Sequence, residues 1–134
     1  MRTVVILSVL LLFAIMNLLL LNKPQVPIGP HGGKVKKAEN FNIEKIQSPE
    51  NLYAFLLDTN YKPISNKGVI GEVRFYYLDE TTSDIPLLPF ETEGFVVKMQ
   101  ENQYHSCRIT FIISGKSISA KFENESLIVS KKIN

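Results

Sequence analysis

The side chain with the widest chemical reach in this chain is His31. It stands in the run Gly29-Pro30-His31-Gly32-Gly33. Glycines on both sides let the backbone take turns closed to other residues and come close to a ligand. An imidazole in such a setting is a good donor to borderline metals such as Cu or Zn. Glu44 lies on the polar face of a predicted strand and reaches a ligand held by His31 if the intervening chain folds back. His105 and Cys107 stand two apart in another predicted strand, where alternate side chains share a face. Imidazole and thiolate on one face make part of a Zn(II) or copper site, which needs three or four donors. His31, Glu44 and His105 are therefore the candidate metal ligands, and Cys107 reads equally as a small core residue.

Other constellations carry less. Asp79, Glu80 and Asp84 crowd one loop, but without the spacing of a helix–loop–helix calcium site. A Cys107–His105 nucleophile pair has no readable orienting carboxylate or amide. Paired acid–base carboxylates, a Ser-His-Asp set and a phosphate loop are not legible, so the chain does not read as an enzyme. Asn124-Glu125-Ser126 matches the glycosylation acceptor pattern. Tyr53, Phe55, Phe75, Tyr76 and Tyr77 offer stacking surfaces, with core packing as their ordinary use.

These residues need elements to position them. Residues 4–21, VVILSVLLLFAIMNLLLL, form the first, a predicted apolar helix. At 1.5 Å per residue it spans about 27 Å, close to the hydrocarbon thickness of a bilayer. Residues 1–21 thus read as a signal peptide or a transmembrane anchor that contacts the membrane. No Ala-x-Ala pair marks its exit, which favours an uncleaved anchor. Either way the rest of the chain is expected outside the cytoplasm, in the cell envelope or secreted after cleavage.

Arg2 is the only charged side chain before residue 22, so fourteen basic and thirteen acidic side chains follow it. That near-balance is no footprint for nucleic acid or a strongly anionic membrane. The single cysteine cannot form an intramolecular bridge, and about 110 residues can fold on apolar burial alone.

Residues 22–39 read as a linker, rich in proline and glycine at its start. Residues 40–134 then read as strands. The stretch 40–47 alternates, and 52–58 is apolar on both faces, as in a covered central strand. Residues 69–78 place Gly71, Val73, Phe75 and Tyr77 inward. Residues 85–90 carry Pro86 and Pro89, which predicts an edge strand. Residues 94–99, 105–113 and 117–123 alternate, with a hairpin at Ser114-Gly115, and Leu127–Val129 make a last short strand. The expectation is an all-β, immunoglobulin-like antiparallel sandwich of about seven strands, preceded by the apolar helix.

The run Pro30-His31-Gly32-Gly33-Lys34-Val35, followed by Phe41-Asn42-Ile43-Glu44, resembles a group of small bacterial envelope proteins whose domains open with Pro-His-Gly-Gly and a strand carrying His-x-Glu. The likeness continues through Leu56-Leu57-Asp58, Lys62-Pro63-Ile64 and Gly71-Glu72-Val73 to the hairpin from Ile109 to Phe122. Such domains resemble accessories of heavy-metal efflux systems, which implies binding or delivery of metal ions by His31 and Glu44. Asn42 stands where that pattern has its second histidine. Two functions are therefore expected to compete: an envelope module handling transition-metal ions, and an interaction domain docking another envelope protein with no metal role.

Overall fold

The computed structural model describes residues 27–126, and the apolar segment 4–21 and the strand expected at Leu127–Val129 lie outside them. Among the described residues the fold is all-β, with eight strands: β1 Lys34–Ala38, β2 Phe41–Gln47, β3 Asn51–Leu57, β4 Ile70–Tyr77, β5 Thr82–Phe90, β6 Gly94–Lys98, β7 Tyr104–Ile113 and β8 Lys116–Glu123. Every pairing is antiparallel, and the order is β1-β2-β3-β6-β5-β4-β7-β8.

Period-two patterning drives the strands as expected. In β4 the inward set Gly71, Val73, Phe75 and Tyr77 is buried, while Glu72 and Arg74 face out. In β7, Cys107, Ile109 and Phe111 are buried against Ile118, Ala120 and Phe122 of β8. Ser114 and Gly115 both take positive φ in the connecting two-residue turn, the geometry that matches the strands' twist. β3 is covered on both faces. Leu52, Ala54 and Leu56 enter the main core, and Phe55 and Leu57 join Val35 in a smaller outer cluster.

The sandwich expectation changes at β5. Its residues from Thr82 to Leu87 pair with β4, and those from Leu88 to Phe90 pair with β6. The strand thus carries the sheet around a corner, and the eight strands form one nearly closed, barrel-like sheet instead of two separate leaves. Nor is β5 an outer edge. Each of its halves has a partner on one side only, so Pro86 and Pro89 can turn their missing N–H to the unpaired side.

The barrel stops short of closure between β1 and β8, which lie side by side without ladder bonds. Side chains span the seam. Lys34 pairs with Glu125 at one end, and Lys116 with Glu39 at 2.8 Å at the other. Between them Lys45, a residue 7% exposed, donates its ammonium to the Glu123 carbonyl at 3.1 Å. Lys36 and Lys45 each lie 5.6 Å from the Phe122 ring centre, in cation–π range. Burial holds the Lys45 amine below its ordinary pKa. β1 itself lies inside the expected linker. Its run Lys34-Val35-Lys36-Lys37-Ala38 has the lysine content by which proteins blunt an edge strand, and that content masks its pairing with β2 in the sequence.

Candidate functional site

The segment before β1 folds back over the outer face of β1, β2 and β3. Gly29 and Gly33 close its turn, with the Gly29 amide donating to the Gly33 carbonyl at 2.8 Å. Both glycines are required by closeness. A Cβ at Gly29 would lie 2.4 Å from the Glu44 carboxyl carbon, and one at Gly33 would lie 2.5 Å from the Lys45 carbonyl oxygen. The turn therefore wraps directly around the Glu44 side chain.

Glu44 is 0% exposed. Its Oε2 accepts the backbone N–H of His31 at 2.9 Å and of Gly33 at 2.8 Å. Its Oε1 accepts from His31 Nδ1 at 2.7 Å. On the other side of the ring, His31 Nε2 meets Glu93 Oε1 at 2.8 Å. Carboxylate oxygens only accept, so satisfying both at once requires a proton on each ring nitrogen, the imidazolium form of His31. The ring stacks on Phe55, 3.7 Å between centres and 11° from parallel. Burial is the largest influence on the His31 pKa and lowers it. The hydrogen bonds and charges of Glu44 and Glu93 outweigh it, so the net shift is upward.

Two of the three expected ligands thus meet, as back-folding of the chain requires. Glu93 reaches the far side of the His31 ring from the β5–β6 turn, which Asn66 holds by donating its Nδ2 to the carbonyls of Glu91 at 3.1 Å and Gly94 at 2.9 Å. Nothing in the sequence pairs residues 31 and 93, because the contact depends on how β5 rounds the corner. Asn42, on the same face of β2 as Glu44, donates to the Asp58 carbonyl at 3.0 Å.

His105 goes elsewhere. The register slips between Tyr76 and Tyr77: Tyr76 faces Ser106, but Tyr77 faces Tyr104. His105 is the extra residue of this bulge in β7, which inverts the alternation. Tyr104 and Cys107 are therefore buried while His105 is exposed, and the expected common face of His105 and Cys107 does not exist. Cys107 is 0% exposed, and burial pushes its thiol up to about 11.

Asp79 accepts the backbone and hydroxyl of Thr81 at 3.0 and 2.5 Å, and Asp84 takes Arg74. The acidic loop therefore has turn-forming and pairing roles. Asn124 Nδ2 donates to the Tyr104 carbonyl at 2.9 Å, and the residue is 8% exposed, so the acceptor nitrogen is closed to an enzyme. Among the described residues no three His, Cys, Asp or Glu side chains converge to hold a metal ion. Glu44 and Glu93 sit against opposite nitrogens of one ring, which keeps them apart.

Compared with family models, curated proteins and solved structures, the chain matches none.

The outer face of the other half of the barrel holds the second candidate surface. Ile70 of β4 and Ile112 of β7 face each other and are 64% and 41% exposed. At the same level of β5, Leu88 is 63% exposed and pairs with Val96 of β6. An open groove of about 450 Å³ lies beside Leu88, lined in part by Ile85, Pro86, Val96 and Val97.

Proposed function

We propose that this chain is an extracytoplasmic interaction module that docks another protein of the cell envelope through the outer face of β6, β5, β4 and β7. One observation carries the reading: the exposed pair Ile70 and Ile112 across β4 and β7, and exposed Leu88 with Val96 one position past the last β4–β5 pair, Gly71 and Leu87, put large apolar side chains on the outer face of four strands. Isolated exposed apolar residues are ordinary, but a group of them beside a groove marks an interaction surface. Burying the exposed parts of the three large side chains would supply about 3–5 kcal/mol. The apolar segment 4–21 fits a tether that holds the domain near its partner at the membrane, and the near-balanced charge fits no nucleic-acid role.

The test is recovery of envelope partners on the tagged full chain, with and without a chelator. One stable partner, kept with the chelator present and lost with Ile70→Asp and Ile112→Asp, supports the docking reading. A partner recovered equally by these variants refutes it.

A second reading, binding of Cu or Zn, is favoured by the geometry at Nδ1. A buried carboxylate on one nitrogen of a histidine fixes the ring and aims the other nitrogen outward, the arrangement that supports metal-bound histidines. In this reading Glu44 is the orienting group, and the metal displaces the proton between His31 Nε2 and Glu93, which become the donors. Calorimetric titration of the full chain with Zn or Cu decides it, since heat no greater than that of His31→Ala ends the metal reading.

A further inference from the structure

We propose that the basic row beside these apolar side chains, Arg74, Arg108 and Lys121 with Tyr76, recognises carboxylates on the docked segment of the partner protein. This deepens the docking reading and rests on it.

The row is set by register. Arg74 of β4 stands opposite Arg108 of β7, and Arg108 stands opposite Lys121 of β8. All three face out. Like charges directly opposite across a sheet destabilise it, so three in line call for counter-charge. Arg74 has it: Asp84 takes its Nε at 2.6 Å and its Nη2 at 3.0 Å. Among the described residues no carboxylate lies within 4.0 Å of Arg108 or Lys121. Glu72 and Glu123 lie on the same outer face, two positions along their own strands from Arg74 and Lys121, and His105 is the remaining titratable neighbour.

Tyr76 ties the cations together. Lys121 Nζ lies 5.1 Å from its ring centre, and the neighbouring guanidiniums, Arg108 first and then Arg74, draw the pKa of its phenol down. The result is a planar guanidinium and an ammonium held over an exposed sheet, with donors that match a carboxylate.

Position selects a protein segment over other anions. Ile70 and Ile112 stand four residues from Arg74 and Arg108 along the same two strands, which is about 13 Å at the rise of a β-strand. An extended segment lying along β4 and β7 would meet apolar contacts at one end and cations at the other. A membrane surface has no such order, and its adsorption draws on larger basic clusters than two unneutralised side chains.

The experiment titrates the full chain in mild detergent with a synthetic peptide bearing glutamates at one end and valines at the other. A matched peptide with lysines in place of the glutamates and vesicles containing phosphatidylglycerol serve as comparisons. The glutamate peptide is expected to bind in a salt-dependent manner, and Arg108→Glu with Lys121→Glu to weaken it by about tenfold or more. Arg108→Gln with Lys121→Gln, which keeps the surface neutral, is expected to weaken it less but measurably. Equal binding of the two peptides, or no effect of either pair of variants, overturns the proposal. So does binding to the vesicles that depends on Arg108 and Lys121 while the peptide fails to bind. If the Arg108 and Lys121 variants keep the envelope partner that Ile70→Asp loses, the acidic chemistry fails and the docking reading stands.

Discussion

Replacing His31 by alanine removes three contacts at once. The Nδ1 bond to Glu44 at 2.7 Å goes, as do the Nε2 bond to Glu93 at 2.8 Å and the stack on Phe55 at 3.7 Å. Glu44 stays buried with only its two backbone donors. Breaking a fully buried ion pair costs about 3–5 kcal/mol, but an exposed pair contributes about 1 kcal/mol or less. The His31 side chain is 23% exposed and Glu93 38%, so the Glu44 pair lies between these limits and the Glu93 pair near the lower one. With a ring stack of about 0.5–1.5 kcal/mol, the expected loss is about 2–4 kcal/mol. Since small domains lose about 1–3 kcal/mol per molar urea, the unfolding midpoint should fall by roughly 1–2 M.

The same clamp sets a pH dependence. The folded pKa of His31 is raised, so its contribution is fully present below the unfolded value, about 6.5, and is lost as pH rises through the folded value. The wild-type midpoint should therefore drop on the alkaline side of about pH 6.5, and the alanine variant should lack that step. Urea unfolding of the full chain in mild detergent, followed by tyrosine signal, gives both quantities. A variant midpoint within roughly 0.3 M of wild type, or the same pH profile in both proteins, would refute the clamp.

Three further outcomes follow from single contacts. Gly29→Ala drives a Cβ into the Glu44 carboxylate and should lower stability by about 1–3 kcal/mol, read from the same unfolding curves; an unchanged midpoint would mean that the turn does not grip Glu44. Expressed in a eukaryotic secretory pathway, Asn124 should remain unmodified by mass spectrometry, because its nitrogen is bonded to Tyr104 and buried. Cys107 should react with a thiol reagent only as the chain unfolds, and prompt labelling of folded protein would contradict its burial.

The sequence reveals the fold wherever one face is apolar and the other polar. β4, β7 and β8 show this clearly, and their inward residues are those expected. The doubly apolar reading of β3 also holds, although its second cover is the chain before β1. What stays hidden has physical causes. Lysines at the β1 edge serve the seam and disguise a strand. Pro86 and Pro89 suggest an edge, because a strand that changes partners midway has the same backbone pattern as one with no second partner. The bulge at His105 shifts register by one residue, and composition does not mark it. In the clamp, His31 and Glu44 are legible from the glycine-rich run and the strand alternation. Glu93 is not, because it arrives from a distant turn whose position follows from the corner at β5.

The docking face is tested most directly by placing a photo-crosslinking residue at Ile112 in the full chain and illuminating intact cell envelopes. The expected product is a crosslink to one protein, absent when the same residue replaces the exposed Tyr61 and weakened by Ile70→Asp. Crosslinks to lipid alone, or the same products from both positions, would contradict the idea that this face of the barrel holds a partner.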